Sequence, residues 1–195
     1  MDVKSVAVIG AGTMGRGIAY AAALGGYRTI LEDVSRTRLE QAILWIWQTL
    51  EQTVTQGKIA AILRDAAWQN LSTANTVEDA LREADLIIET LPEEMEMKIE
   101  LFTIFDKFAK PNAIFASSSA SLSITEMAEV TFCAERCIGM RFIDAVRETS
   151  LLELVKGQET SEETIAVCAE AGRRMGKEVV VVQEPGLEAF AGASS

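Results

Sequence analysis

The stretch Val6-Ala-Val-Ile-Gly10-Ala-Gly12-Thr-Met14-Gly15-Arg-Gly17-Ile-Ala19 decides how the chain is read. Val6 to Ile9 is a short apolar run of the kind a buried strand needs, and it leads directly into G-x-G-x-x-G. Behind the glycines, Met14, Ile18, Ala19, Ala22 and Ala23 recur at helical spacing. Each glycine answers a physical demand. Gly10 lets the chain turn tightly off the strand, Gly12 lets a pyrophosphate approach the backbone, and Gly15 lets the helix lie close to the sheet. Unpaired N–H groups at the helix start, helped by the helix dipole, suit phosphates. Arg28 to Leu31 reads as the next strand, and Glu32-Asp33 close it about 20 residues beyond the glycines, where an acid accepts hydrogen bonds from a ribose 2′-OH. The cofactor predicted is NAD. Arg36 lies near enough to keep NADP as the minor reading.

The totals agree with one soluble domain. A chain of 195 residues with 49% hydrophobic and 24% charged residues can bury a substantial core. A formal charge of −11 argues against nucleic acid or an anionic membrane surface as partner. No apolar run reaches membrane-span length, and Met1-Asp2-Val3-Lys4 opens onto a strand without a signal segment, so a cytoplasmic location is expected. Cys133, Cys137 and Cys168 form no disulfide framework. Cys133 and Cys137 are spaced to share a helix face, but no metal site is expected; small buried hydrophobes are the favoured reading. The chain contains no histidine, which removes the commonest general base and metal ligand.

Along the chain, Arg38 to Thr55 reads as an amphipathic helix through Leu39, Ala42, Ile43, Ile46, Leu50 and Val54. Trp45 and Trp47 fall on different faces of it; packing is the favoured role, a wall against a substrate or partner helix the other. A weaker helix covers Ile59 to Trp68, and Leu71 to Thr73 a short strand. A brief helix through Val77 and Leu81 precedes a strand at Asp85 to Glu89. Pro92 suits a helix start, with Glu93, Glu94 and Glu96 in its first turn and Ile99, Phe102, Phe105 and Phe108 on one face. Ala113 to Ala116, Cys137 to Phe142, Leu151 to Val155 and Glu178 to Val182 read as strands. Thr160-Ser-Glu-Glu163 is a capping box opening a helix that Gly176 closes, and Glu184-Pro185-Gly186 ends the last strand. The alternation predicts an α/β, Rossmann-type, doubly wound and mostly parallel sheet with helices on both faces. Residues 1–186 make one dinucleotide-binding domain, and 187–195 a short tail.

Beyond the glycine turn, Asp85-Leu-Ile-Ile-Glu89 with Glu93 and Lys98, Ile114-Phe-Ala-Ser-Ser-Ser-Ala-Ser-Leu-Ser-Ile-Thr125, Gly139-Met-Arg-Phe142 and Leu152-Glu-Leu-Val155 form a more specific set. In these the chain resembles the NAD-binding domain of L-3-hydroxyacyl-CoA dehydrogenases. The resemblance implies a cofactor site at Gly10, Gly12, Thr13, Met14, Gly15, Asp33, Glu93, Lys98 and Ser118. It implies a reaction in which a histidine, oriented by a glutamate, removes the substrate hydroxyl proton while a serine and an asparagine hold the substrate oxygen. The glutamate position is Glu153. The histidine position is Arg141, the catalytic serine position is Ala120, and Ser118, Ser119, Asp144 and Ala145 also depart from the family pattern. In that family a helical domain follows and closes over the acyl-CoA; here Leu187-Glu-Ala-Phe-Ala stands after Gly186 instead.

A guanidinium stays protonated throughout the working pH range, so Arg141 is not a general base. Two readings of it remain: an ion pair with Glu153, with Asp144 in reach to join, or a side chain pointing to solvent. At the level of function the alternatives are an NAD-dependent dehydrogenase of altered or impaired chemistry, in which Arg141 anchors a substrate carboxylate, and a catalytically silent dinucleotide-binding sensor or partner subunit. Acyl-CoA or a hydroxyacid is the substrate class implied, and a homo-oligomer or a separate helical chain the possible partner.

Overall fold

The computed structural model describes residues 2–145 and 151–184. In chain order the elements are β1 (Ser5–Ile9), α1 (Thr13–Leu24), β2 (Arg28–Glu32), α2 (Arg36–Thr55), α3 (Ala61–Asn70), β3 (Leu71–Thr73), α4 (Val77–Glu83) and β4 (Leu86–Glu89). There follow α5 (Met95–Phe108), β5 (Ile114–Ser117), α6 (Ile124–Ala128), β6 (Cys137–Phe142), β7 (Leu151–Lys156), α7 (Glu162–Arg174) and β8 (Glu178–Gln183). The strands form one sheet in the order β3-β2-β1-β4-β5-β6-β7-β8. Pairing is parallel from β3 to β6; β7 runs antiparallel to β6, and β8 parallel to β7. This is the doubly wound sheet expected. The strand order reverses between β1 and β4, so the crevice at their carboxyl ends is where such a fold takes a ligand.

Both faces of the sheet are covered, and strand alternation divides the core in two. Val6 and Val8 of β1, Leu86 and Ile88 of β4, and Ile114 and Ala116 of β5 face one apolar cluster shared with α1, α2 and α7. Ala7, Ile9, Ile87 and Phe115 face the other, filled by Leu101, Phe102 and Phe105 of α5.

Several local expectations are corrected. Helix α5 begins at Met95, with Glu94 as N-cap, rather than at Pro92. Only Glu96 lies in its first turn, because the Glu93 carboxylate is drawn away to the loop after β5. On its inner face Lys98, Leu101, Phe102 and Phe105 are buried, while Ile99 and Phe108 are half-buried. The box at Thr160 forms one residue later: Ser161 accepts from Thr164 N at 3.2 Å, while Thr160 donates to Cys137 O at 2.6 Å. Gly176 closes α7 in the left-handed region, φ 76°, as expected. Cys133 and Cys137 share no helix face: Cys137 opens β6, and a single 3₁₀ turn, Ala134–Arg136, lies between them. All three cysteines are free and buried. Helix α6 had no apolar periodicity to announce it; Ser123 caps it by accepting from Glu126 N. Pro185 and Gly186, with the tail, lie outside the described residues.

Candidate functional site

The glycine turn sits at the switch point, and its glycines are there for different reasons. Gly10 has φ 101°, which disfavours a side chain, and a Cβ there would stand 2.7 Å from Thr90 Oγ1. A Cβ on Gly15 would stand 1.8 Å from the Gly10 carbonyl oxygen, so this position sets how closely α1 approaches β1. Thr90, just past β4, holds the turn from the other side by donating towards the carbonyls of Ile9 and Gly10, at 3.1 and 3.0 Å. Gly12 differs: a Cβ there meets no atom within 4 Å. It is the N-cap of α1 with no side-chain capping bond and no acid in the first turn. Open space in front of N–H groups that no side chain caps is the cradle a pyrophosphate requires, so the turn fits the cofactor it predicts.

Asp33 follows β2 and lies against that turn. Its Oδ2 accepts from Ala11 N at 2.8 Å and Arg38 Nη1 at 3.4 Å, and its Oδ1 accepts from Ser35 N at 2.8 Å. The side chain is only 3% exposed. Arg38, rather than Arg36, is the cation beside it; Arg36 is exposed and pairs with Glu40 at 3.0 Å. Glu32, one residue earlier, is buried, and burial with the charges of Asp33 and Glu78 pushes its carboxyl up to about 7. Beside Asp33 opens a cavity of about 930 Å³ lined by Val34, Leu39, Ile43, Trp47, Trp68 and Ala74, among others. Both tryptophans of α2 pack, as favoured: Trp45 edge-on to Tyr20 and Trp47 edge-on to Trp68. Trp47 also forms a wall of the cavity.

The second half of the site is a polar network across β4, α5 and β5. Lys98 Nζ donates to both oxygens of Glu89, at 2.7 and 2.9 Å, and to Leu91 O at 3.2 Å; both charged side chains are fully buried. Ser117 Oγ also bonds Glu89. Glu93, by contrast, is spent on the loop after β5: its Oε1 accepts from Ser119 Oγ at 2.5 Å, from Ala120 N and Ser121 N at 2.9 Å each, and from Ser121 Oγ at 3.1 Å. Burial opposes its charge, but these hydrogen bonds, led by that of Ser119, hold its carboxyl below the usual range. This anion nest is half backbone N–H groups, of Ala120 and Ser121, and half serine hydroxyls, of Ser119 and Ser121, and only the serines are visible in the sequence. Ser118 lies beside it, half-buried, its N–H donating to Glu89 O at 3.1 Å.

Arg141 of β6 stands opposite Glu153 of β7 in the antiparallel register, and its Nη1 donates to Glu153 Oε2 at 2.9 Å. Its Nε reaches Ser119 O at 3.4 Å. Of the two readings, the ion pair is the one present. Asp144 meets a different cation through its backbone: its carbonyl accepts from Lys177 Nζ at 3.4 Å. Gly12, Thr13, Asp33, Glu93 and Ser118 thus lie on the carboxyl-end side of the sheet, while Lys98 is buried beneath them, paired with Glu89 and 4.0 Å from Glu93 Oε2. No helix among the described residues is long and apolar enough to cross a membrane.

Comparison with known proteins agrees with this geometry. Residues 5–185 match the family described as the 3-hydroxyacyl-CoA dehydrogenase NAD binding domain. A 3-hydroxybutyryl-CoA dehydrogenase of Bradyrhizobium diazoefficiens is 37% identical over 182 residues, covering 93% of this chain and 62% of the relative. The human mitochondrial hydroxyacyl-coenzyme A dehydrogenase is 35% identical, over 95% of this chain and 61% of its own length. Among solved structures, the (S)-3-hydroxybutyryl-CoA dehydrogenase of Ralstonia eutropha superposes with a TM-score of 0.89 at 30% identity, covering 94% of this chain and 65% of that one. The chain therefore spans a little under two thirds of these relatives. The chain belongs to the 3-hydroxyacyl-CoA dehydrogenase NAD-binding domain family, and its cofactor is NAD.

Proposed function

We propose that this protein binds NAD(H) at the glycine turn and that the family's hydride transfer on 3-hydroxyacyl-CoA is impaired in it. The observation carrying this reading is the Arg141–Glu153 ion pair at 2.9 Å, at the positions that in the family resemblance hold base and orienter. Bound NAD supplies a hydride acceptor. The chain's residues must then supply phosphate binding, ribose recognition and a route for the hydroxyl proton.

The first two tasks have groups suited to them. N–H groups around Gly12, Thr13 and Met14 would take the pyrophosphate, with Gly10 and Gly15 giving the turn its shape. Asp33 retains acceptor capacity for a ribose hydroxyl, since a carboxylate offers about four lone-pair directions and three donors reach it here. Glu93 and Ser118 would border the nicotinamide end, with Lys98 fixing that floor from below. The proton lacks the acceptor that the family resemblance assigns to it. Arg141 cannot take it, Ala120 has no hydroxyl to orient a substrate oxygen, and no histidine exists to substitute. A chain that binds the dinucleotide without turning over would act as a sensor or as a partner subunit; acyl-CoA or a hydroxyacid remains the substrate class if turnover survives.

Titration with NADH and NADPH, followed by acetoacetyl-CoA, tests this. Tight NADH binding without NADH oxidation is the expected result. Turnover at the rate of an ordinary dehydrogenase would overturn the impairment, and failure of both nucleotides to bind would overturn the cofactor site.

A further inference from the structure

The sheet ends in a strand that natural edge strands rarely resemble. Strand β8 reads Glu178-Val-Val-Val-Val-Gln183 and pairs on one side only among the described residues, with β7. Val180 is 40% exposed and Val181, on the opposite face, 52%. The strand contains no proline, no lysine and one charge, so it lacks the usual protections against pairing with another chain.

The backbone fixes which groups are on offer. Glu184 N donates to Lys156 O across the β7–β8 pair. Alternation along a strand then turns the N–H and C=O of Val180 and Val182 towards β7, and those of Val179, Val181 and Gln183 away from it. A two-fold pairing of β8 with itself must set outward-facing residues opposite outward-facing residues, so its axis passes through a residue rather than between two. Centred on Val181, it would place Glu178 opposite Glu184 of the second copy, a like-charge pair that opposes association. Centred on Val180, it places Val179 opposite Val181 and Glu178 opposite Val182. No like charges then face each other, and four backbone hydrogen bonds close the pair.

We propose that β8 is a self-association edge, joining two copies antiparallel about Val180 into one continuous sheet. Each copy carries −11 of formal charge, which opposes the encounter, so the dimer strengthens with salt while its backbone bonds and valine contacts do not screen. The inference rests on the edge alone and is independent of the cofactor and of catalysis.

Sedimentation of the 195-residue chain over about a hundredfold range of concentration is the primary test, with a dimer whose fraction rises with protein and with salt as the expected result. Val181→Pro removes an outward N–H while leaving the β7 ladder, which uses Val180 and Val182, intact; it should abolish the dimer with circular dichroism unchanged. Val180→Cys should form an intermolecular disulfide under oxidised glutathione, because it stands opposite itself; the three native thiols are buried. A monomer throughout, or a dimer that survives Val181→Pro, overturns the proposal. Should Val181→Pro misfold, the Val180→Cys crosslink decides alone.

Discussion

Arg141 and Glu153 face each other across the β6–β7 pair, guanidinium to carboxylate at 2.9 Å, at the two positions to which the family resemblance assigns base and orienter. Glu153 is thereby committed to a permanent cation. Restoring a titratable ring requires both missing groups, so Arg141→His with Ala120→Ser is expected to raise acetoacetyl-CoA-dependent NADH oxidation by about 10²-fold or more, the usual yield of a placed acid–base group. The gain should follow a pH profile with an inflection in the histidine range, read by steady-state kinetics. No gain, with NADH binding retained, would place the block elsewhere.

The glycines of the turn should separate fold from ligand. Gly15→Ala puts a Cβ 1.8 Å from the Gly10 carbonyl and is expected to cost about 1–3 kcal/mol as α1 is forced off the sheet. Gly12→Ala projects its methyl into empty space, so thermal stability should be retained while NADH affinity falls about tenfold or more, since each factor of ten is about 1.4 kcal/mol. Thermal melts beside fluorescence titrations distinguish the two.

The Glu89–Lys98 pair is fully buried on both sides. Lys98→Met leaves a carboxylate without its cation inside the protein and should destabilise by about 3–5 kcal/mol, read from urea midpoints at constant slope. Because Ser117 of β5 also bonds Glu89, local unfolding should spread to the loop after β5, measurable as lost amide protection at Ser119 to Ser121.

Glu32 makes stability depend on pH. Its carboxyl is raised from 4.5 to about 7, chiefly by burial, so in the window between those values the folded state holds a proton that the unfolded chain has released. Stability contributed by the protonated form is complete below about 4.5 and is lost as pH rises towards 7, a difference on the order of 3 kcal/mol. Glu32→Gln should flatten this part of the curve and raise the melting temperature at pH 8 more than at pH 5. Asp85 acts in the opposite direction: burial opposes its charge, but bonds from Lys110, Lys4 N and Ser5 outweigh it and hold its carboxyl at about 2. Its stability is present above the usual carboxylate range and is lost as pH falls towards 2.

Much of the site was legible because it depends on features a linear sequence displays. The run from Val6 to Ile9, the glycine spacing and the acid after β2 fix strand, turn and helix by local geometry, and β1, α1 and Asp33 lie where that geometry puts them. The doubly wound, mostly parallel character of the sheet followed from the alternation of strand and helix, while the strand order and the antiparallel turn of β7 came from the structure. What stayed hidden is what backbone groups do at long range. Glu93 looked like an ordinary first-turn acid of α5, yet four donors from residues 119–121 hold it, and three residues of the expected helix start give way in consequence. Arg141 had two readings until the β6–β7 register set Glu153 directly across from it. The box at Thr160 shifted because a buried carbonyl, that of Cys137, needed the hydroxyl more than the helix did.

Asp33 adds a consequence for anyone seeking to retune the cofactor. The carboxylate that would read the ribose also fastens the glycine loop through Ala11 and starts α2 through Ser35. Exchanging it for a neutral or basic residue to welcome a 2′-phosphate would unlatch the loop proposed above to take the pyrophosphate. Discrimination and grip are mechanically coupled in one side chain, so a change of nucleotide preference here requires a replacement latch as well as a new charge.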